Sequence, residues 1–155
     1  MNDLKLDLDR YIPFGLAAIA NKVSRGASRV YLDLFGIGIN EWRILANLKI
    51  TPGMSANAIC VTSGLDKAAV SRSLRDLEAE GLIAACGDGG ETRGRRLKLT
   101  DKGLALHDKV IHVALERERR LLSGFSEAER QQLHDFITRM HRNVPLVNES
   151  DYRAV

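Results

Sequence analysis

Apolar residues recur along most of this 155-residue chain at steps of three and four, the period of a helix with one buried side. The first such run is Leu16, Ile19, Ala20, Val23, Ala27, Val30, Tyr31 and Leu34, and Pro13 suits its opening turn, where a missing N–H costs nothing. Residues 1–12, with Leu4, Leu6, Leu8 and Ile12 spread among charges, read as an arm that packs only against a partner. Phe35-Gly36-Ile37-Gly38 stops the first helix. A second starts at Ile39 or Asn40, turns Trp42, Ile44, Leu45 and Leu48 inward, and ends at Thr51-Pro52-Gly53. Ser55 is placed to cap a short helix over 56–61, and Thr62-Ser63-Gly64 makes a tight turn. The helix after it, about 66–79, has Asp66 at its start, Gly81 beyond its end and an inward stripe of Val70, Leu74 and Leu77.

The period then becomes an alternation. Residues 82–86 and 95–99 read as the two strands of a hairpin whose tip is Gly87-Asp88-Gly89-Gly90. Thr100 caps a long helix over about 101–122, with Leu104, Val110, Ile111, Ala114 and Leu115 as its apolar contacts, before the charged run at 116–120. Ser126-Glu127-Ala128-Glu129 forms a capping box for a last helix with Leu133, Phe136, Ile137 and Met140 on one side. The tail after Pro145 is expected to fray.

Helix, turn, helix and basic ribbon over 55–103 is the layout of a winged helix-turn-helix, a module that reads duplex DNA. The fold class expected is therefore mainly α with a small β-wing: a winged helix-turn-helix flanked by N- and C-terminal dimerisation helices. Charge sharpens this. The outer face of helix 66–79 presents Lys67, Ala68, Ala69, Ser71, Arg72 and Arg75, small residues that let a helix lie deep in a groove beside long basic ones that reach sideways. The returning strand carries Arg93, Arg95, Arg96 and Lys98, with no acid from Thr92 to Lys98. Edge strands also carry Lys against aggregation. Three arginines beside a glycine hairpin, directly after a helix-turn-helix, favour contact with phosphates or a minor groove.

Composition adds limits. Hydrophobic content of 45% and charged content of 28% exclude wholesale disorder, and a net charge of +3 allows an anionic partner without demanding one. Cys60 and Cys86 have no close-spaced His or Cys, so no metal site is expected, and His107 and His112, five apart, do not share a helix face. No secretory or membrane-spanning run is seen, which makes a cytoplasmic protein with no membrane partner the expectation. A nucleophile elbow, phosphate loop and glycine fingerprint are all missing; neither an enzyme nor a cofactor is expected.

Three further stretches carry a likeness: 35–45 (FGIGINEWRIL), Leu65-Asp66-Lys67-Ala68-Ala69-Val70-Ser71-Arg72, and 77–83 (LEAEGLI). With the exit Leu99-Thr100-Asp101-Lys102-Gly103, they make the chain resemble the MarR family of bacterial transcription regulators from about Tyr11 to Asn143. The family's acidic-x-Arg wing word falls on Glu91-Thr92-Arg93, with Glu where Asp is usual. The resemblance implies a homodimer of one MarR-type unit over 1–155, with 37–103 as the DNA-binding part and 1–36 and 104–147 as dimerisation helices. It implies a double-stranded, pseudo-palindromic operator with recognition helices about 10 base pairs apart.

Within that picture Ser55 and Arg75 hold phosphates, and Lys67, Ala68, Ser71 and Arg72 face base edges, Arg72 as the bidentate reader of guanine. Arg93, with Arg95 and Arg96, reaches the minor groove or its phosphates. Repression is the default that the likeness implies. It also points to a small aromatic or phenolic carboxylate bound near Asn21, Ser24, Arg25 and Ser28 of the first helix, Trp42 and Arg43 of the second, and His107 and Ile111 of the fifth. The alternatives at this level are a regulator without a small-molecule ligand and a winged module that binds protein.

Overall fold

The computed structural model describes residues 5–87, 95–149 and 151–153. Contacts divide the chain into two compact units, Met1–His112 and Val113–Val155.

The first unit opens with α1 (Ile12–Phe35), whose first turn holds Pro13, and which Gly36 closes in the left-handed conformation (φ 71) while its N–H bonds the Leu32 carbonyl. Only Ala27 and Tyr31 of its apolar stripe are buried; Leu16, Ile19 and Leu34 stay exposed. α2 (Ile39–Ile50) lies at the centre, packed on α1, on α3 (Ala56–Ser63) and on α4 (Lys67–Ala79). Its Ile44, Leu45 and Leu48 join Ile59, Val70, Leu77 and Val110 as side chains withdrawn almost wholly from water. Each such residue contributes roughly 1.5–3 kcal/mol by burial. Trp42 is half-buried.

Ser55 does cap α3: its Oγ accepts from the Ala58 N–H at 3.2 Å. The helix runs two residues further than its sequence suggests, through Ser63, so the turn into α4 is Gly64 (φ 67) to Asp66. Met54–Ser55 also form a two-residue strand, β1, which the pattern did not announce. The sheet order is β1-β3-β2, all antiparallel, with β2 (Ile83–Ala85) and β3 (Arg96–Leu99) registered as Ile83 opposite Leu99 and Ala85 opposite Leu97. Leu97 and Leu99 point into the core and Arg96 and Lys98 outward, the alternation expected of a ribbon with one wet face.

α4 ends in a Schellman motif: Gly81 (φ 67) donates to the Glu78 carbonyl and Leu82 to that of Leu77, both at 2.9 Å. The wing exit is tied to the same corner, since Thr100 donates through N to Leu82 O and through Oγ1 to Gly81 O. Here α5 (Asp101–Leu121) begins, and Gly103 is buried so tightly that a Cβ would overlap the Leu82 carbonyl oxygen. No larger residue fits at that crossing.

The second unit holds the end of α5 and α6 (Glu127–Asn148). Ser126 and Glu129 form the expected capping box, Ser126 N donating to Glu129 Oε2 at 2.7 Å. The helix does not fray at Pro145: it continues to Asn148, with Glu149 N bonding the Pro145 carbonyl at 2.9 Å. Proline deletes only its own bond to the preceding turn, and three further residues keep theirs. No α6 residue is buried, and Phe136, Ile137, Leu146 and Val147 are about half exposed or more.

Candidate nucleic-acid interface

Asp66 starts α4 as its N-cap, Oδ1 accepting the Ala69 N–H at 2.7 Å, so the helix has a fixed first turn. Lys67, Ala68, Ser71, Arg72 and Arg75 are all exposed. At about 100° per residue they fall within an arc of about 140°, one continuous face. Lys67, Arg72 and Arg75 enter no ion pair or hydrogen bond among the described residues, so their full charge faces outward. Ala69 does not belong to this face: it is only 8% exposed, because it lies one residue from Val70 on the side turned to the core. The inward stripe is Ala69, Val70, Ser73 and Leu77, and Leu74 is half-buried.

Ser73 is the residue that the pattern missed. It is 3% exposed, and its hydroxyl donates to Glu41 Oε1 of α2. Position 73 lies three beyond Val70 and four before Leu77, so the spacing alone marks a serine on an apolar stripe that requires a partner.

On the ribbon, Arg95 is exposed, with Nη1 2.7 Å from Glu78 Oε1 on α4, a charge contact without the alignment of a hydrogen bond. Arg96 donates from Nη1 to the Gly53 carbonyl at 2.9 Å and so braces the turn before β1. Both keep further donors for a phosphate, since a guanidinium carries five. Arg93, with the Glu91-Thr92-Arg93 word, falls in 88–94 and lies outside the described residues. Between α3, α4 and β3 runs a groove of about 460 Å³, lined by Asn57, Cys60, Lys67, Ser71, Arg75, Glu78 and Arg95 among others. Half-buried Cys60 lines this groove. Ser55, half-buried at the α3 N-terminus, uses its lone pair for the cap and leaves its O–H free to donate.

The eight residues expected around an aromatic acid gather in part. Trp42 stacks on His107 with ring centroids 5.3 Å apart and lies 6.0 Å from the Tyr31 ring. Arg43 donates from Nη2 to Ser24 Oγ at 3.0 Å, joining α2 to α1. His107, 6% exposed, places Nδ1 3.0 Å from Asp108 Oδ1, and this hydrogen bond holds the Asp108 carboxyl below the usual range. Ser28 and Ile111 are half-buried; Asn21 and Arg25 are exposed on α1.

A capped, cationic second helix beside a three-stranded ribbon defines a winged helix-turn-helix DNA-binding protein. A MarR family model matches residues 35–94. The chain is 35% identical to a MarR/EmrR family transcriptional regulator from Acinetobacter sp. ADP1, over 91% of this chain and 99% of that one, with a TM-score of 0.84. It is 26% identical over 147 residues to the HTH-type transcriptional regulator PecS of Dickeya dadantii (strain 3937), covering 90% of this chain and 86% of that protein. The solved complex of S. aureus MepR with DNA is also similar, at 25% identity and a TM-score of 0.73 over 88% of this chain and 98% of that one. The chain belongs to the MarR family and is a transcription regulator.

Proposed function

We propose that this regulator is a homodimeric, sequence-specific repressor, acting in the cytoplasm, that is released from its operator by a small aromatic carboxylate. The observation that carries the DNA reading is the α4 face: two arginines, a lysine and two small residues, exposed and without internal ion pairs among the described residues. Arg72 is the reader of base edges, Ser55 and Arg75 hold phosphates, and the wing arginines follow the adjacent backbone. Support for a dimer comes from the apolar surface left open by one chain. Ile12, Phe14 and Ile19 of α1 and Phe136, Leu146 and Val147 of α6 are each half exposed or more.

For the effector, Arg43 spends one donor on Ser24 and retains others for a carboxylate, while Trp42 and His107 offer flat walls. Because these groups already satisfy one another, a regulator without a small-molecule ligand is the second reading. Trp42 is the chain's single tryptophan, so its fluorescence decides between them. Titration with benzoate and hydroxybenzoates quenches it and weakens duplex binding on the first reading, and leaves both unchanged on the second.

The DNA reading is tested by selecting duplexes from a random library and measuring their affinity against salt. A selected, roughly symmetric site whose affinity falls steeply with salt supports it. Failure to enrich any site, or binding that salt does not affect, rejects it.

A further inference from the structure

Three consecutive residues near the start of α2 tie it to the elements around it. Trp42 packs on Tyr31 and His107, Arg43 bonds Ser24 of α1, and Glu41 reaches α4. The Glu41 carboxylate is held at both ends: Oε1 accepts from Ser73 Oγ, and Oε2 accepts the Gly38 N–H at 3.0 Å. Ser73 is 3% exposed and directly follows Arg72, so a shift of its backbone carries the DNA-reading face with it.

We propose that Glu41 is a positioning residue for the recognition helix. Its bond to Ser73 fixes how α4 presents Arg72, and it passes any displacement of the first turn of α2 to that helix. The consequence for DNA rests on the function proposed above; the mechanical link does not.

Gly38 supplies the point of attack. Its backbone (φ −87, ψ −179) is open to any residue, so conformation does not demand a glycine there. What demands it is space: a Cβ would stand 2.6 Å from Glu41 Oε2 and 3.6 Å from Ser28 Oγ. The obstructing atom is the far end of a side chain, so Gly38→Ala displaces the carboxylate with little cost to the fold.

The test is amide hydrogen exchange on the full chain for Gly38→Ala, Ser73→Ala and the double variant. If the link holds, Gly38→Ala raises exchange across Lys67–Ala79 about tenfold, Ser73→Ala does the same, and the double variant adds nothing more, because both cut one connection. Faster exchange confined to the first turn of α2 in Gly38→Ala, or additive effects in the double variant, overturns the proposal. In a second arm, the ratio of affinities for a selected and a random duplex falls at least about fivefold in each single variant; an unchanged ratio also overturns it. Should the unaltered protein bind no duplex, the function proposed above fails, and the exchange arm still decides the link.

Discussion

At the residue scale, a guanidinium that reads guanine carries sequence information, and one that grips phosphate carries none. Arg72→Ala is expected to cost about 1–3 kcal/mol on a selected duplex and much less on a random one. Fluorescence anisotropy on both duplexes measures the split. Arg95 is shared with Glu78, so Glu78→Gln is expected to release it, tighten binding to random DNA and steepen the dependence on log salt by about 1. In the second unit, Arg119 and Arg120 both donate to Glu116 and hold its carboxyl at about 2. A carboxyl depressed in the folded state stabilises above its ordinary value, and that contribution is lost as pH falls towards about 2. An NMR titration of Glu116 should show the low midpoint, and Arg119→Ala with Arg120→Ala should return it to the carboxylate range. The sequence made the cations on α4 legible because exposure there follows from helical spacing. It could not reveal the Glu41–Ser73 or Arg95–Glu78 pairs, since spacing within one helix says nothing about which residue of another helix stands opposite.

Elements with a long period were readable, and those without one were not. α1, α2, α4 and α5 repeat their apolar positions over three or more turns, and each lies within a few residues of where its pattern puts it. β1 spans two residues, too few for any alternation; it exists because β3 offers it an edge and Gly53 N–H bonds Leu97 O at 2.8 Å. Pro145 misled for the opposite reason: a breaker near a helix end removes one bond, and the remaining turn survives. Gly103 shows how an element crossing can depend on a single missing atom group. Gly103→Ala must push the start of α5 away from the Leu82 carbonyl, which is expected to cost at least about 1–3 kcal/mol. A thermal melt checks it, with a fall of about 2–4 °C per kcal/mol. An unchanged melting temperature would mean that the wing exit is looser than its hydrogen bonds imply.

For the whole molecule, the sequence showed apolar stripes at both ends of the chain, more than one DNA-binding module can cover. The described structure leaves the same faces open, on the N-terminal half of α1 and along α6. In the proposed homodimer a second copy covers these faces and a twofold axis presents α4 twice. Such a dimer has a stoichiometry and a spacing that can be measured together. The most direct measurement is hydroxyl-radical footprinting of a selected duplex, with the mass of the complex determined on the same sample. Two chains per duplex, protecting two patches whose centres are about 10 base pairs apart, is the predicted result. One chain per duplex, or a single protected patch that Arg72→Ala leaves unchanged, contradicts it.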